Sequence, residues 1–235
     1  MSGSVSGEVA VVIPALNEAD RISATVTAAL GLPAVALVVV VDDGSKDATA
    51  TAARRAGAVV TRHARNRGKG AALETGAEAV RLLDQREQRE PARHLLFLDA
   101  DLGGTAALAG PLIEPVVAGA ADMTIAVFTT TVKLGGHGLV VGLSGAGIRR
   151  ATGWRPAQPL NGQRCLTRAA FEAARPLARG WGVETALSID LLRKGLRVTE
   201  VEVELAHRAT GTGMRAQLHR AHQLTDVAKA LAARL

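Results

Sequence analysis

The sequence predicts an α/β fold built on a mostly parallel central sheet flanked by helices. Over residues 8–127, short Val- and Leu-rich runs alternate with stretches of helical periodicity, the pattern of repeated βαβ units. The runs are nearly continuous in apolar residues, as in strands buried on both faces. Polar clusters follow them directly, at the carboxyl ends where open α/β sheets bind ligands.

Glu8 to Ile13 reads as the first strand. Asn17 then caps a helix with Asp20 as its capping-box partner, and Gly31 closes it. Leu37 to Val41 is the second strand. Lys46 to Ala56 is helical, with Ser45 as its cap, and Ala58 to Thr61 is a short strand. Gly70 to Asp84 is a helix, and the charged stretch Gln85 to Arg93 a solvated loop. His94 to Leu98 and Ala121 to Val127 are strands, separated by a helical stretch broken at Pro111 and Pro115.

The second half is less regular. Thr129 to Gly138 is a candidate mobile loop, and residues 139–151 are helical despite three glycines. Thr152 to Gln163 is a loop leading to the strand Arg164 to Leu166. Gly182 to Lys194 is helical, Leu196 to Leu205 a strand, and Met214 to Leu235 a long C-terminal helix. The stripe Leu218, Ala221, Leu224, Ala228, Leu231 and Leu235 is expected to pack on the domain or on a second copy in a homodimer. A membrane surface is the alternative. No repeat or linker divides the chain, so residues 1–235 read as one domain.

Composition narrows the partners. The chain has 235 residues and a formal charge of +6, which suits anionic small molecules, nucleic acid or an anionic membrane. With three Phe, two Trp and no Tyr it lacks stacking platforms, and it carries no nucleic-acid motif, so nucleic acid is not an expected partner. The single cysteine, Cys165, precludes an intrachain disulfide and reads as a buried small hydrophobe. Met1 to Gly7 does not resemble a signal peptide, and the longest apolar run, Leu32 to Val41, is half the ~20 residues a transmembrane segment needs. A cytoplasmic chain, at most peripheral to a membrane, is expected.

Five strand ends carry the candidate chemistry. After strand one, Pro14 and Ala15 offer backbone to a polar ring, and Asn17 or Glu18 can reach a nucleoside. Helix capping is the alternative for Asn17. After strand two, Asp42 and Asp43 can accept from a base or ribose, or form a turn with Gly44. Gly68-Lys69-Gly70 opens a helix and reads equally as a phosphate site or a solvated basic turn. Asp99-Ala100-Asp101 puts two carboxylates at a strand end, suited to Mg²⁺ or Mn²⁺ carrying phosphate oxygens. His207 follows the last strand, as a ligand or a structural histidine.

As a set, Pro14-Ala15-Leu16-Asn17-Glu18, Val41-Asp42-Asp43-Gly44-Ser45, Gly68-Lys69-Gly70-Ala71-Ala72-Leu73 and Asp99-Ala100-Asp101 resemble family-2 glycosyltransferases of the GT-A (Rossmann-like) fold. In the later half, Pro159-Leu160-Asn161-Gly162, Gly182-Val183-Glu184 and Ala206-His207-Arg208 resemble segments of glucosyl-3-phosphoglycerate synthase. The resemblance implies a nucleotide-binding half (1–127) and an acceptor-side half with the C-terminal helix (128–235). It implies that Asp101 and His207 ligate Mg²⁺ or Mn²⁺, with Asp99 on ribose or metal-bound water. Asn17, Glu18 and Asp43 would face the nucleoside, Lys69 the nucleotide and Glu184 the transferred sugar. Two departures from that synthase stand out: Gln163 replaces a Glu, and Thr129-Thr130-Thr131 replaces basic residues.

The expected reaction moves a sugar from a UDP- or GDP-linked donor to a small, phosphorylated or lipid-phosphate acceptor. The metal and Lys69 would offset charge on the departing diphosphate. Glu184 would act as general base or would position the sugar, and is preferred over Asp190, six residues on and off its helix face. The rivals are a polyprenyl-phosphate glycosyltransferase at the membrane surface, a nucleotidyltransferase and a non-catalytic nucleotide-sugar binding module. The nucleotidyltransferase would need a Gly-rich loop after strand one, and the chain has none there.

Overall fold

A computed structural model describes residues 8–129, 138–205 and 214–235, the last segment with side chains from residue 222 onward. Among these, seven strands form one sheet: β1 (Val9–Ala15), β2 (Val35–Asp42), β3 (Val59–Arg62), β4 (His94–Phe97), β5 (Met123–Phe128), β6 (Arg164–Leu166) and β7 (Val198–Val203). Their order is β3-β2-β1-β4-β6-β5-β7. Every pairing is parallel except those of β6, which runs antiparallel to β4 and β5. The expected α/β architecture with a mostly parallel sheet is observed.

Side-chain alternation divides the core between the two faces of the sheet. Val38 and Val40 of β2 join Val11 and Ile13 of β1 beneath α1 (Ile22–Leu30), α2 (Thr49–Arg55) and α4 (Gly110–Val117). Val39 and Val41 join Val12 and Phe97 beneath α3 (Lys69–Arg86), α6 (Arg168–Ala174) and α7 (Val183–Arg193). A smaller cluster of Val140, Ile148, Ile189, Val227 and Leu231 packs α5 (Gly138–Thr152) and α8 (Met214–Ala232) on α7. Cys165 is fully buried, and burial pushes its thiol pKa up.

Several local expectations are corrected. Asn17 does not cap α1: the helix begins five residues later, and Asn17 sits at φ +57° with Oδ1 accepting from Lys46 N at 2.8 Å. Nor does Ser45 cap α2. Its Oγ accepts from Asn17 N at 2.9 Å, while Asp47 Oδ1 accepts from Thr49 N at 3.0 Å at the helix start. Both capping-type side chains instead clasp the loop after β1 to the loop after β2. Pro111 and Pro115 do not break α4; Pro111 falls in the first turn, where backbone N–H groups lack helical partners anyway. Residues 85–93 are not wholly solvated, because Arg93 is buried in an ion pair with Asp84 and reaches Glu87 Oε2 at 2.5 Å.

Helix α6 carried no clear sequence signal, though Thr167 caps it, accepting from Ala170 N at 3.0 Å. The face of α8 also differs from expectation. Of the expected stripe Leu231 is buried, but Leu224, Ala228 and Leu235 are exposed and Val227 and Ala230 are buried instead; the side chains of Leu218 and Ala221 lie outside those described. Polar anchors select that face: Arg234 grips Asp190 through two bonds of 2.6 and 2.7 Å, and Asp226 Oδ2 accepts from Trp181 N at 3.1 Å. Asp190 is thereby committed to helix docking. The candidate loop at 129–138 falls mostly on residues 130–137, which lie outside the described residues, as does His207.

Candidate active site

The loops that follow β1, β2 and β4 and the start of α3 surround a cleft of about 380 Å³. Pro14, Ala15, Leu16 and Glu18 form one wall from β1, and Asp99, Ala100 and Asp101 another from β4. Asp43, Asn66, Lys69, Ala72 and Trp181 complete it. The sheet brings these groups together because β1 and β4 are parallel neighbours whose carboxyl ends lie side by side.

Asp43 organises the loop that opens α3. Its Oδ1 meets His63 Nδ1 at 2.6 Å and accepts from Arg67 N at 2.8 Å, and its Oδ2 accepts from Gly68 N at 2.8 Å. His63 Nε2 continues the network to Thr75 Oγ1 at 2.9 Å. Thus the anion at the amino end of α3 is the protein's own carboxylate, and the N–H of Gly68 is engaged by it and by Asn66 Oδ1. Gly68, expected beside the nucleotide, thus has its N–H engaged within the chain. Gly44 lets the two loops meet: at φ +84°, a Cβ there would lie 2.8 Å from Arg65 C and 2.9 Å from Asn66 N.

Lys69 is the electrostatic centre. Its Nζ lies 2.7 Å from Asp99 Oδ1 and 2.9 Å from Glu184 Oε1. Burial alone would lower its pKa, but the Asp99 and Glu184 carboxylates override that and raise it, so the ammonium stays charged. Gly162 provides the space, since a Cβ there would come within 2.3 Å of Nζ. The segment bearing Gly162 is held by Arg164, whose side chain is fully buried. Its guanidinium donates to the carbonyls of Asn161 (2.8 Å), Glu184 (2.9 Å) and Pro159 (3.1 Å) and to Ser188 Oγ (3.1 Å). Burial pushes the Arg164 pKa down to about 10, partly offset by Glu184 and Glu200.

Of the residues expected in the site, Pro14, Ala15, Glu18, Asp43, Lys69, Asp99, Ala100 and Asp101 line the cleft, and Glu184 adjoins it through Lys69. Asn17 and Asp42 do not line it. Asp42 is fully buried, its Oδ1 accepting from Ser45 N at 2.8 Å and its Oδ2 lying 3.1 Å from Arg62 Nε. Gln163 is likewise fully buried, with neither amide atom hydrogen-bonded among the described residues. Trp181, His63 and Arg164 were missed by sequence reasoning. The rarity of aromatics was the one available signal for Trp181.

Among the described residues no three His, Cys, Asp or Glu side chains converge as a metal site. The carboxylates of Asp99 and Asp101 on one cleft wall are the hard oxygen donors that Mg²⁺ or Mn²⁺ prefers, so the residues present fit such an ion.

A model described as glycosyl transferase family 2 matches residues 10–138. Glycosyltransferase AglJ of Haloferax volcanii is 29% identical over 216 residues, 87% of this chain and 65% of its own length. The uncharacterized protein MJ1222 of Methanocaldococcus jannaschii is 44% identical over 75 residues, 32% of this chain and 30% of its own. The matches thus span less than two thirds of either curated relative. Crystal structures of glucosyl-3-phosphoglycerate synthase from Mycobacterium tuberculosis share the fold. The complex with phosphoglyceric acid has a TM-score of 0.75 at 26% identity, covering 97% of this chain and 80% of that one. The complex with Mn²⁺, UDP and phosphoglyceric acid has a TM-score of 0.76 at 25% identity, covering 97% and 78%.

Proposed function

The chain belongs to glycosyl transferase family 2, and from that premise we propose that it is a metal-dependent enzyme transferring a sugar from a UDP-linked donor to a small phosphorylated acceptor. One observation carries the reading: a single cleft gathers the two β4-end carboxylates and a buried ammonium that also holds Glu184. The Mycobacterium tuberculosis synthase complexes with Mn²⁺, UDP and phosphoglyceric acid support the donor, metal and acceptor class.

In this reading, the half through β5 binds the donor, and the half from α5 onward binds the acceptor within one domain. Pro14, Ala15 and Glu18 border the nucleoside, with Asp43 at the floor. Asp99, Asp101 and His207 would hold Mg²⁺ or Mn²⁺, which when bound neutralises charge on the diphosphate. Lys69 adds a fixed, largely buried positive charge whose attraction grows with the leaving group's negative charge. Glu184, with its side chain 5% exposed, presents a carboxylate that accepts from a hydroxyl of the transferred sugar.

Thermal shifts with UDP- and GDP-sugars, with and without Mn²⁺, test this directly. A UDP-sugar should stabilise the protein only with the metal, by about 2.7 kcal/mol at a hundredfold excess over Kd. Asp101→Asn should remove the metal dependence. No stabilisation by any nucleotide sugar overturns the reading.

A further inference from the structure

Helix α5 has an outward face that nothing among the described residues covers. Leu139 is 82% exposed and Leu143 36%, and Gly142 and Ala146 are exposed beside them. At ~100° per residue, Leu139, Leu143, Ala146 and Arg150 fall on one side of the helix. Val140, Ser144, Gly147 and Ile148 on another side are buried, whereas Val141 beyond them is 36% exposed. The stripe therefore ends in charge: Arg149 and Arg150 form the last turn and are both exposed. The helix contains no acidic residue, and neither these arginines nor Arg155 forms an ion pair with a described carboxylate.

We propose that this face of α5 docks on an anionic lipid bilayer. From Leu139 to Arg150 the helix advances ~16 Å, so a tilted approach sinks the leucines ~5–10 Å into the boundary while the arginines stay among the lipid phosphates. Arginine side chains keep their heads in the polar layer and lay their stems along apolar surface. A second copy fits poorly. A two-fold contact along α5 would stack arginines on arginines if the helices were parallel, and leucines on arginines if antiparallel. The chain's charge of +6 favours the same anionic surface. On its inner side α5 touches the site, since Ser144 Oγ lies 2.7 Å from Thr185 Oγ1, next to Glu184. Docking would thus set the bilayer one helix away from Glu184. The inference stands independently of the sugar-transfer reading.

The test is co-sedimentation of the full chain with vesicles of phosphatidylcholine, alone and with added phosphatidylglycerol. Binding should be at least ~10-fold stronger to the anionic vesicles, and should fade toward ~1 M salt. Leu139→Glu with Leu143→Glu, and Arg149→Glu with Arg150→Glu, should each lower it ~10-fold or more. Circular dichroism reports folding independently of any nucleotide; should a double variant fail to fold, Leu139→Gln at the most exposed position carries the same test. Equal binding to both vesicle types, no binding, or variants binding like the parent overturns the proposal. So does a dimer in light scattering that Leu139→Glu with Leu143→Glu dissociates, which would seat a second copy on this face.

Discussion

Lys69 Nζ lies 2.9 Å from Glu184 Oε1, joining the first residue of α3 to the first turn of α7. The same nitrogen lies 2.7 Å from Asp99 Oδ1 at the end of β4. One ammonium therefore sets the distance between the end of β4 and the start of α7.

Lys69→Met should expose this dependence. It leaves two facing carboxylates without their shared cation, at a cost on the order of 3 kcal/mol in urea unfolding. Transfer should fall ~100-fold or more through the lost charge on the leaving group. Because the folded-state pKa is raised, the stabilisation is complete below the ordinary lysine value and is lost only as pH climbs above ~10. Turnover of the variant within a factor of ~2 of the parent would assign the charge to another group.

Gly162→Ala separates placement of Lys69 from stability. The added methyl meets the far end of the flexible Lys69 side chain, which can shift while its charge stays beside both carboxylates, so unfolding should cost less than in Lys69→Met. Displacement of Nζ should nonetheless lower kcat ~10-fold or more. Unchanged kinetics would mean that the 162 segment moves aside.

Trp181 is a built-in reporter. It lines the cleft, whereas the chain's other tryptophan, Trp154, packs against the apolar clusters. Addition of UDP with Mn²⁺ should change the intrinsic fluorescence, and Trp181→Phe should abolish that change. A signal that survives in this variant contradicts the assigned binding site.

His94 predicts an acid sensitivity remote from the cleft. Burial lowers its pKa, with Arg168 adding to the effect and Glu8 opposing it. The unfolded chain then binds more protons, so stability falls as pH drops through ~6.5. Glu78 and Asp122, whose pKa values are lowered by Arg81 and Arg197, act in the same direction but only below ~4. His94→Gln should flatten the difference in urea midpoint between about pH 5.5 and about pH 7.5. An unaltered slope would assign it elsewhere.

Much of the half through β5 was legible because its signals are local. Val38 to Val41 must alternate between two buried faces, and Asp99 and Asp101 must emerge where that burial stops. Capping was misread for the opposite reason. Asn17 and Ser45 have side chains that suit a local cap, yet each met a backbone N–H from the other's loop. Asp43 was legible as a strand-end acid, but its ties to His63, Arg67 and Gly68 come from loops that sequence spacing does not align.

The amino-acid sequence by itself determined the strands, the layering and the acids at the strand ends, since burial periodicity and chain order act within a few residues. Tertiary structure alone decided that β6 runs antiparallel, that Asp226 and Arg234 choose the buried face of α8, and that Asp42 is spent on Arg62. It also brought Arg164 beneath Glu184 and Trp181 to the cleft. These outcomes depend on which distant polar group the fold brings within ~3 Å of a buried charge or N–H that is costly to leave unpaired, and no local pattern encodes that meeting.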